Sequence, residues 1–170
     1  TFYRDEGWSF YQIGKQLERA DQTTRLLDTK YHLLVPAPGD VASRLDVSRW
    51  NALLRSAAGY HAFRRLHPRG MTPADVAGFM LFHGAFPRSV VACVGEIHDQ
   101  LTALRSTYAV PGVTGAMGRL DELRTLLATS DITSVVESGL HEFLDDLQRH
   151  LNALSGEIGR ELLGHRAAAG

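Results

Sequence analysis

The sequence predicts an all-α fold, an antiparallel bundle of about four long and two short helices. Three observations carry that prediction. Ile132, Val136, Leu140, Phe143, Leu147, Leu151, Leu154, Ile158 and Leu162 follow one another at intervals of 4, 4, 3, 4, 4, 3, 4 and 4 residues. That is the repeat of one helical face packed lengthwise against its neighbours. Proline and glycine at 36–39, 68–70, 84–87 and 111–118 divide the rest into helix-length pieces. No stretch alternates with period two over a useful length, and nothing repeats at the period of a solenoid.

The first helix is expected from Arg4 to about Leu34. At 100° per residue, Phe10, Ile13, Leu17, Ala20, Thr24 and Tyr31 fall within about 60° of one direction. Asp5 and Glu6 suit the positive end of its dipole, and Pro36, Pro38 and Gly39 stop it. Asp46 is the expected N-cap of a second helix, about 47–67, closed by Pro68 and Gly70. Trp8 and Trp50 are expected to anchor the first two helices together. Thr72-Pro73-Ala74-Asp75 is a helix start: a capping hydroxyl, proline at the first helical position and an acid three residues after the cap. That third helix should end near Gly84, and Pro87 should open a fourth running to about Tyr108. A loop through Pro111, Gly112, Gly115 and Gly118 precedes a short helix, about 119–128. Asp131 then caps a last helix that runs to about Gly164, some 33 residues or about 50 Å.

Composition bounds the function. A chain of 170 residues, 44% apolar and 22% charged, is a globular domain able to bury a core without staples. It is read as one helical domain over 1–170. The formal charge of −1 excludes a nucleic-acid binder as the default. Residues 1–85 carry a net +3 and 86–170 a net −4, an asymmetry too weak to name a partner. The single cysteine, Cys93, excludes an internal disulfide and a cysteine-rich zinc site, and its apolar neighbours predict a buried, inert thiol. No apolar run approaches the roughly 20 residues needed to span a bilayer, and no charged-then-apolar leader pattern is read in the sequence. A cytoplasmic protein without membrane contact is therefore expected.

The unusual chemistry lies in the first helix. Asp21 and Asp28 fall within about 40° of the stripe centre, with Arg25 and Glu18 on its flank near 80° and 100°. Glu18, Asp21, Arg25 and Asp28 are thus neighbours at helical spacing, and acids on a buried edge must be paired. Arg25 can reach both aspartates; Glu18 needs another donor. Two readings stand, a ladder of surface salt bridges and a polar site within the bundle.

The stretch Arg4-Asp5-Glu6-Gly7-Trp8-Ser9-Phe10, with Ile13-Gly14, Leu17-Glu18-Arg19-Ala20-Asp21 and Arg25-Leu26-Leu27-Asp28, resembles the hallmark of the bacterial alpha-E family, a helical domain named for its Glu-Arg pair. Trp50 with Leu53-Leu54 and Ser56-Ala57, then Phe86-Pro87-Arg88-Ser89-Val90, then Gly139-Leu140-His141-Glu142-Phe143-Leu144 continue the likeness in order. Phe82-His83-Gly84 departs from it where an acid and a small or basic residue are expected. The resemblance implies that the chain is the C-terminal half of a longer protein. It also implies partnership with an ATP-grasp-type ligase or a transglutaminase-like protein in an amide-bond-forming system, with Glu18 and Arg19 as the suspected functional pair. A homo-oligomer is compatible with it.

Arg88, beside Pro87 at the start of a helix, faces the positive end of a dipole and either points into water or calls for a compensating anion. Glu18 is the candidate, or an acidic ligand shared by Arg88 and Arg19. No Glu-x-x-His pair marks a di-metal bundle, so no metal is assigned. Glu137/His141 and Asp28/His32 have a spacing that ordinary contacts share, and His141 reads as a structural contact. No phosphate loop or nucleophile elbow occurs, so no cofactor is assigned and any nucleotide chemistry belongs to another protein. The basic group His61, Arg64, Arg65, His67 and Arg69 suits the negative end of the second helix. Three functional readings follow: an accessory or co-catalytic module beside a ligase; an enzyme with Glu18 as acid or base and Arg19 and Arg88 as anion binders; and a purely structural interaction bundle.

Overall fold

A computed structural model describes residues 5–34, 44–162 and 164, and within them the chain is all-α, eight helices with no strand. In chain order these are α1 (Glu6–Leu34), α2 (Arg44–Ser56), α3 (Tyr60–Leu66), α4 (Pro73–Phe82), α5 (Val90–Ser106), α6 (Val113–Ala128), α7 (Ile132–Ser138) and α8 (Leu140–Glu161). None of them is long and apolar enough to cross a membrane. Arg4, the expected stop at Pro36, Pro38 and Gly39, and the side chains of His32 and Asp46 lie outside the described residues.

Helix boundaries set by a local side chain stand where expected. Thr72 accepts from the Asp75 N–H while Asp75 returns the bond to the Thr72 N–H, a complete capping box at α4. Asp131 and Ser134 close the same box at α7.

Boundaries set from a distance fall elsewhere. The expected second helix is two, because Ala58 takes a left-handed φ of 57° and Gly59 N–H bonds to Leu54 O at 2.8 Å, which turns the chain. Its start also lies earlier, at Arg44, so Asp46 is inside α2 and not its cap. The expected last helix is broken at Gly139, φ 115°, into α7 and α8. Before that break α7 points Val135 inward and leaves Val136 exposed, whereas past it Leu140, Leu147, Leu151, Leu154 and Ile158 of α8 are buried as the stripe requires. The fourth helix begins at Val90 with Ser89 as its cap, leaving Pro87 and Arg88 in the preceding turn. The glycine loop is shorter than expected. Gly112 turns the chain at φ 86°, and Gly115 and Gly118 are helical.

The α6 N-terminus lacks a cap from its own flank; the Glu161 carboxylate of α8 supplies one, accepting from Ala116 N–H at 3.2 Å. A Cβ at Gly115 would stand where that carboxylate lies, so glycine here permits a close approach between helices.

The central packing is α1 against α5, flanked by α6 and α8. Thr23 of α1 meets Arg88 at the start of α5, while Gln16 shares a cleft with Gly95, Glu96 and Asp99 farther along, so the two helices run antiparallel. Ile13, Leu27, Leu54, Phe63, Ile97 and Leu101 are fully buried in the core. Trp50 is buried with its ring edge-on to Tyr31 of α1, as an anchor between the first two helices should be; Trp8 is half-buried and tilts against Tyr11.

Candidate functional site

The buried face of α1 is not the stripe that apolar spacing predicts. Ser9, Gln12, Gln16, Thr23 and Thr24 are buried together with Ile13, Ala20 and Leu27, whereas Phe10, Leu17 and Tyr31 are half-buried. On a 100° wheel the centre of burial is rotated by about 80° from the expected direction. Polar side chains at 9, 12, 16 and 23 therefore form a seam within the buried face, with Gln16 and Thr23 meeting α5 and its leading turn, and Glu18 turns toward solvent.

That rotation separates the Glu-Arg pair. Glu18 lies opposite the buried centre, exposed, with its Oε1 accepting from Gln22 Nε2 at 3.0 Å. Arg19, one residue on, lies at the edge of the polar seam and is half-buried. Among the described residues no ion pair joins Glu18 to Arg88, so the expected Glu18–Arg88 clasp does not form.

Arg88 sits in the turn before α5 rather than in its first helical turn, and its backbone oxygen accepts from Thr23 Oγ1 at 3.0 Å. Arg19 and Arg88 converge nonetheless. Both line a cavity of about 80 Å³ with Gln22, Thr23, Leu26, Ser56 and Ala57. Both also act on Cys93, whose thiol burial pushes up to about 11 while the two nearby guanidiniums pull it back. Cys93 is fully buried, with Sγ 3.7 Å from Pro87 O. Neither guanidinium has a carboxylate partner among the described residues.

Arg19 also borders a larger cleft, about 480 Å³, formed by Gln16 of α1, Gly84, Ala85 and Pro87 of the turn, and Val91, Ala92, Gly95, Glu96 and Asp99 of α5. This volume lies in the range of small-molecule sites. Gln16 is 7% exposed and its Oε1 has no hydrogen-bond partner, an uncommon state for a buried amide.

The remaining predicted residues make a separate cluster. Asp21 accepts from Arg25 Nε at 2.7 Å, which raises the Arg25 pKa, and leaves its buried Oδ1 without a partner. Asp28 reaches across to α8, where its Oδ1 lies 2.6 Å from His141 Nδ1. The aspartate raises the His141 pKa by hydrogen bond and charge together. His141 is thus a structural contact between the first and last helices. No group of three or more His, Cys, Asp or Glu side chains among the described residues is placed to hold a metal ion.

The family resemblance brought out Arg19 and the dipole argument Arg88, while periodicity missed Gln12, Gln16 and Thr23, and the acids Glu96 and Asp99. The signal for the seam was present as 9, 12, 16, 23 spacing of small or amide side chains, the same 3-and-4 rhythm in polar residues.

A family model named Alpha-E, described as a predicted alpha-helical domain with a conserved ER motif, matches residues 1–163. Its Glu-Arg motif fits Glu18-Arg19, the pair that the buried face of α1 divides. No curated protein and no solved structure matches the chain.

Proposed function

The chain belongs to the Alpha-E family, and on that premise we propose that it is a helical accessory module of a bacterial, cytoplasmic amide-bond-forming system, working beside an ATP-grasp-type ligase. Its own contribution is to hold a carboxylate-bearing substrate at Arg19. A transglutaminase-like protein is the other partner class that the resemblance implies. The observation that carries this reading is the state of Arg19. It borders two openings, has no carboxylate partner among the described residues, and stands near a second arginine in the same condition. A guanidinium so placed is a ready receptor for a carboxylate.

Glu18 has the opposite character. It faces solvent, bonded to Gln22 on its own helix, and borders neither opening. An acid or base must lie within hydrogen-bond reach of the proton it moves, which favours a docking role for Glu18 over a chemical one. The enzyme reading, with Glu18 as acid or base, therefore takes second place.

The test is reconstitution with the ligase encoded beside this chain, following ATP-dependent amide formation. Arg19→Gln should raise the KM for the carboxylate substrate by about tenfold or more, while Glu18→Gln leaves kcat at the parent value. A ligase whose rate is indifferent to the presence of this chain would refute the accessory role. Loss of kcat in Glu18→Gln with KM unchanged would restore the enzyme reading.

A further inference from the structure

The larger cleft has opposite charges at its two ends. Toward the start of α5 it offers the Arg19 guanidinium, and the N–H of Val91, which also lines it, lacks an intrahelical acceptor, as in every first helical turn. Farther along α5 it offers the carboxylates of Glu96 and Asp99. Between these ends lies Gln16, 93% removed from solvent by its 7% exposure, whose Oε1 is without a donor. Helix N-termini alone are common, but a cleft that runs from one to a buried amide lacking a partner is not.

We infer that this cleft binds a short peptide with both termini free, its carboxylate at Arg19, its ammonium at Glu96 and Asp99, and a peptide N–H at Gln16 Oε1. The inference rests on the carboxylate-binding reading of Arg19 and specifies the substrate class. Length decides between a peptide and an amino acid. With Thr23 at Arg88 and the two helices antiparallel, Arg19 stands level with about Ala92, so the acids lie four and seven positions farther along α5, about 6 and 10 Å at 1.5 Å per residue. An extended chain covers about 3.3–3.6 Å per residue, so two or three residues bridge that distance. A free amino acid, with both charges on one carbon, reaches the nearer acid through a hydrogen bond at each end but falls short of Asp99. Glu96 also accepts from Gln100 Nε2 at 2.9 Å, which orients its carboxylate and leaves further acceptor sites on it. At Gly95, in the middle of the cleft wall, a Cβ would meet nothing within 4 Å, so the cleft has room there for ligand backbone.

The experiment is calorimetric titration of the full chain with alanyl-alanine, trialanine, N-acetyl-alanyl-alanine, alanyl-alanine amide, alanine and acetate. The free di- or tripeptide should bind at least about tenfold more tightly than either capped dipeptide or alanine. Arg19→Gln should abolish the difference between the acid and the amide. Glu96→Gln combined with Asp99→Asn should abolish the difference between free and acetylated peptide. All these side chains are partly or fully exposed, and unchanged far-UV circular dichroism confirms that each variant folds. Equal binding of acetylated and free dipeptide overturns the ammonium site. Acetate binding as tightly as the peptide reduces the cleft to a carboxylate site, which sinks the peptide inference and spares the proposed function. If no peptide binds while Arg19→Gln still impairs the reconstituted ligase, the inference fails alone; if Arg19→Gln has no effect in either assay, both fail.

Discussion

Replacing Gly59 by alanine should destabilise the fold, and replacing Gly95 by alanine should stabilise it, although both residues have one new methyl group to place. Gly59 has φ −104° and ψ −5°, a conformation open to alanine, so the backbone raises no objection. Space does. The new Cβ would stand 2.9 Å from Phe86 Cζ, 3.0 Å from Phe79 Cε1 and 3.2 Å from Phe86 Cε2. Those rings are buried and stacked with centroids 4.5 Å apart, so neither can retreat without opening the pair. The two shorter contacts must lengthen by about half an ångström to reach ordinary van der Waals distance, an overpacking that costs about 1–3 kcal/mol. For a chain of this size 1 kcal/mol shifts Tm by about 2–4 °C, so Gly59→Ala should melt about 2–12 °C lower. At Gly95 the Cβ meets nothing, and a helical Gly→Ala exchange gains about 0.5–1 kcal/mol, or about 1–4 °C. Thermal and urea melts followed by circular dichroism measure both, with an unchanged m-value showing that the compactness of the unfolded chain is the same in parent and variant. A Gly59→Ala protein as stable as the parent would refute the packing argument. Phe86 accepts from the Ser89 N–H and leads into Arg88, so a shifted ring should also weaken whatever Arg88 and Arg19 hold.

Three further outcomes follow from the same geometry. Glu161→Gln removes the charge that caps α6 and should lower Tm by about 1–4 °C in a thermal melt. The raised His141 pKa means that its pairing with Asp28 contributes fully below the unfolded value of 6.5 and fades as pH climbs through the higher folded value. Asp28→Asn should therefore cost more stability near pH 6 than near pH 9, and an NMR titration should show His141 falling back toward 6.5 in that variant. The Cys93 thiol, held up at about 11 and fully buried, should resist a maleimide at pH near 8 in the folded protein and react promptly in denaturant. Prompt reaction without denaturant would show that the α1–α5 seam opens.

The helical class and the α4 and α7 starts were legible because their causes are local: a 3.6-residue period, and a cap whose donor and acceptor lie three residues apart. The breaks at Ala58 and Gly139 were not, since a helix-compatible sequence runs through both and the turns are fixed by packing of the segments they join. The first helix shows the same limit for the site. Spacing put Glu18 on the flank of the expected stripe, but which face is inside depends on what α5 offers. Weighting apolar residues alone put the centre about 80° from where the buried glutamines and threonines show it to be. Glu96 and Asp99 could not be found from the chain, because their relation to Arg19 exists only once α1 and α5 lie antiparallel.

The approach of Glu161 to Gly115 ties two distant positions into one unit of inheritance. A methyl group at 115 would displace a flexible carboxylate, so the fold would survive, but the bond to Ala116 N–H would be lost and with it the reason for an acid at 161. The two substitutions should then be strongly non-additive, the second nearly free once the first has occurred. Among relatives, glycine at the one position and glutamate at the other should be gained and lost together. Such paired drift would be a record, written in other genomes, of two helices touching in this one.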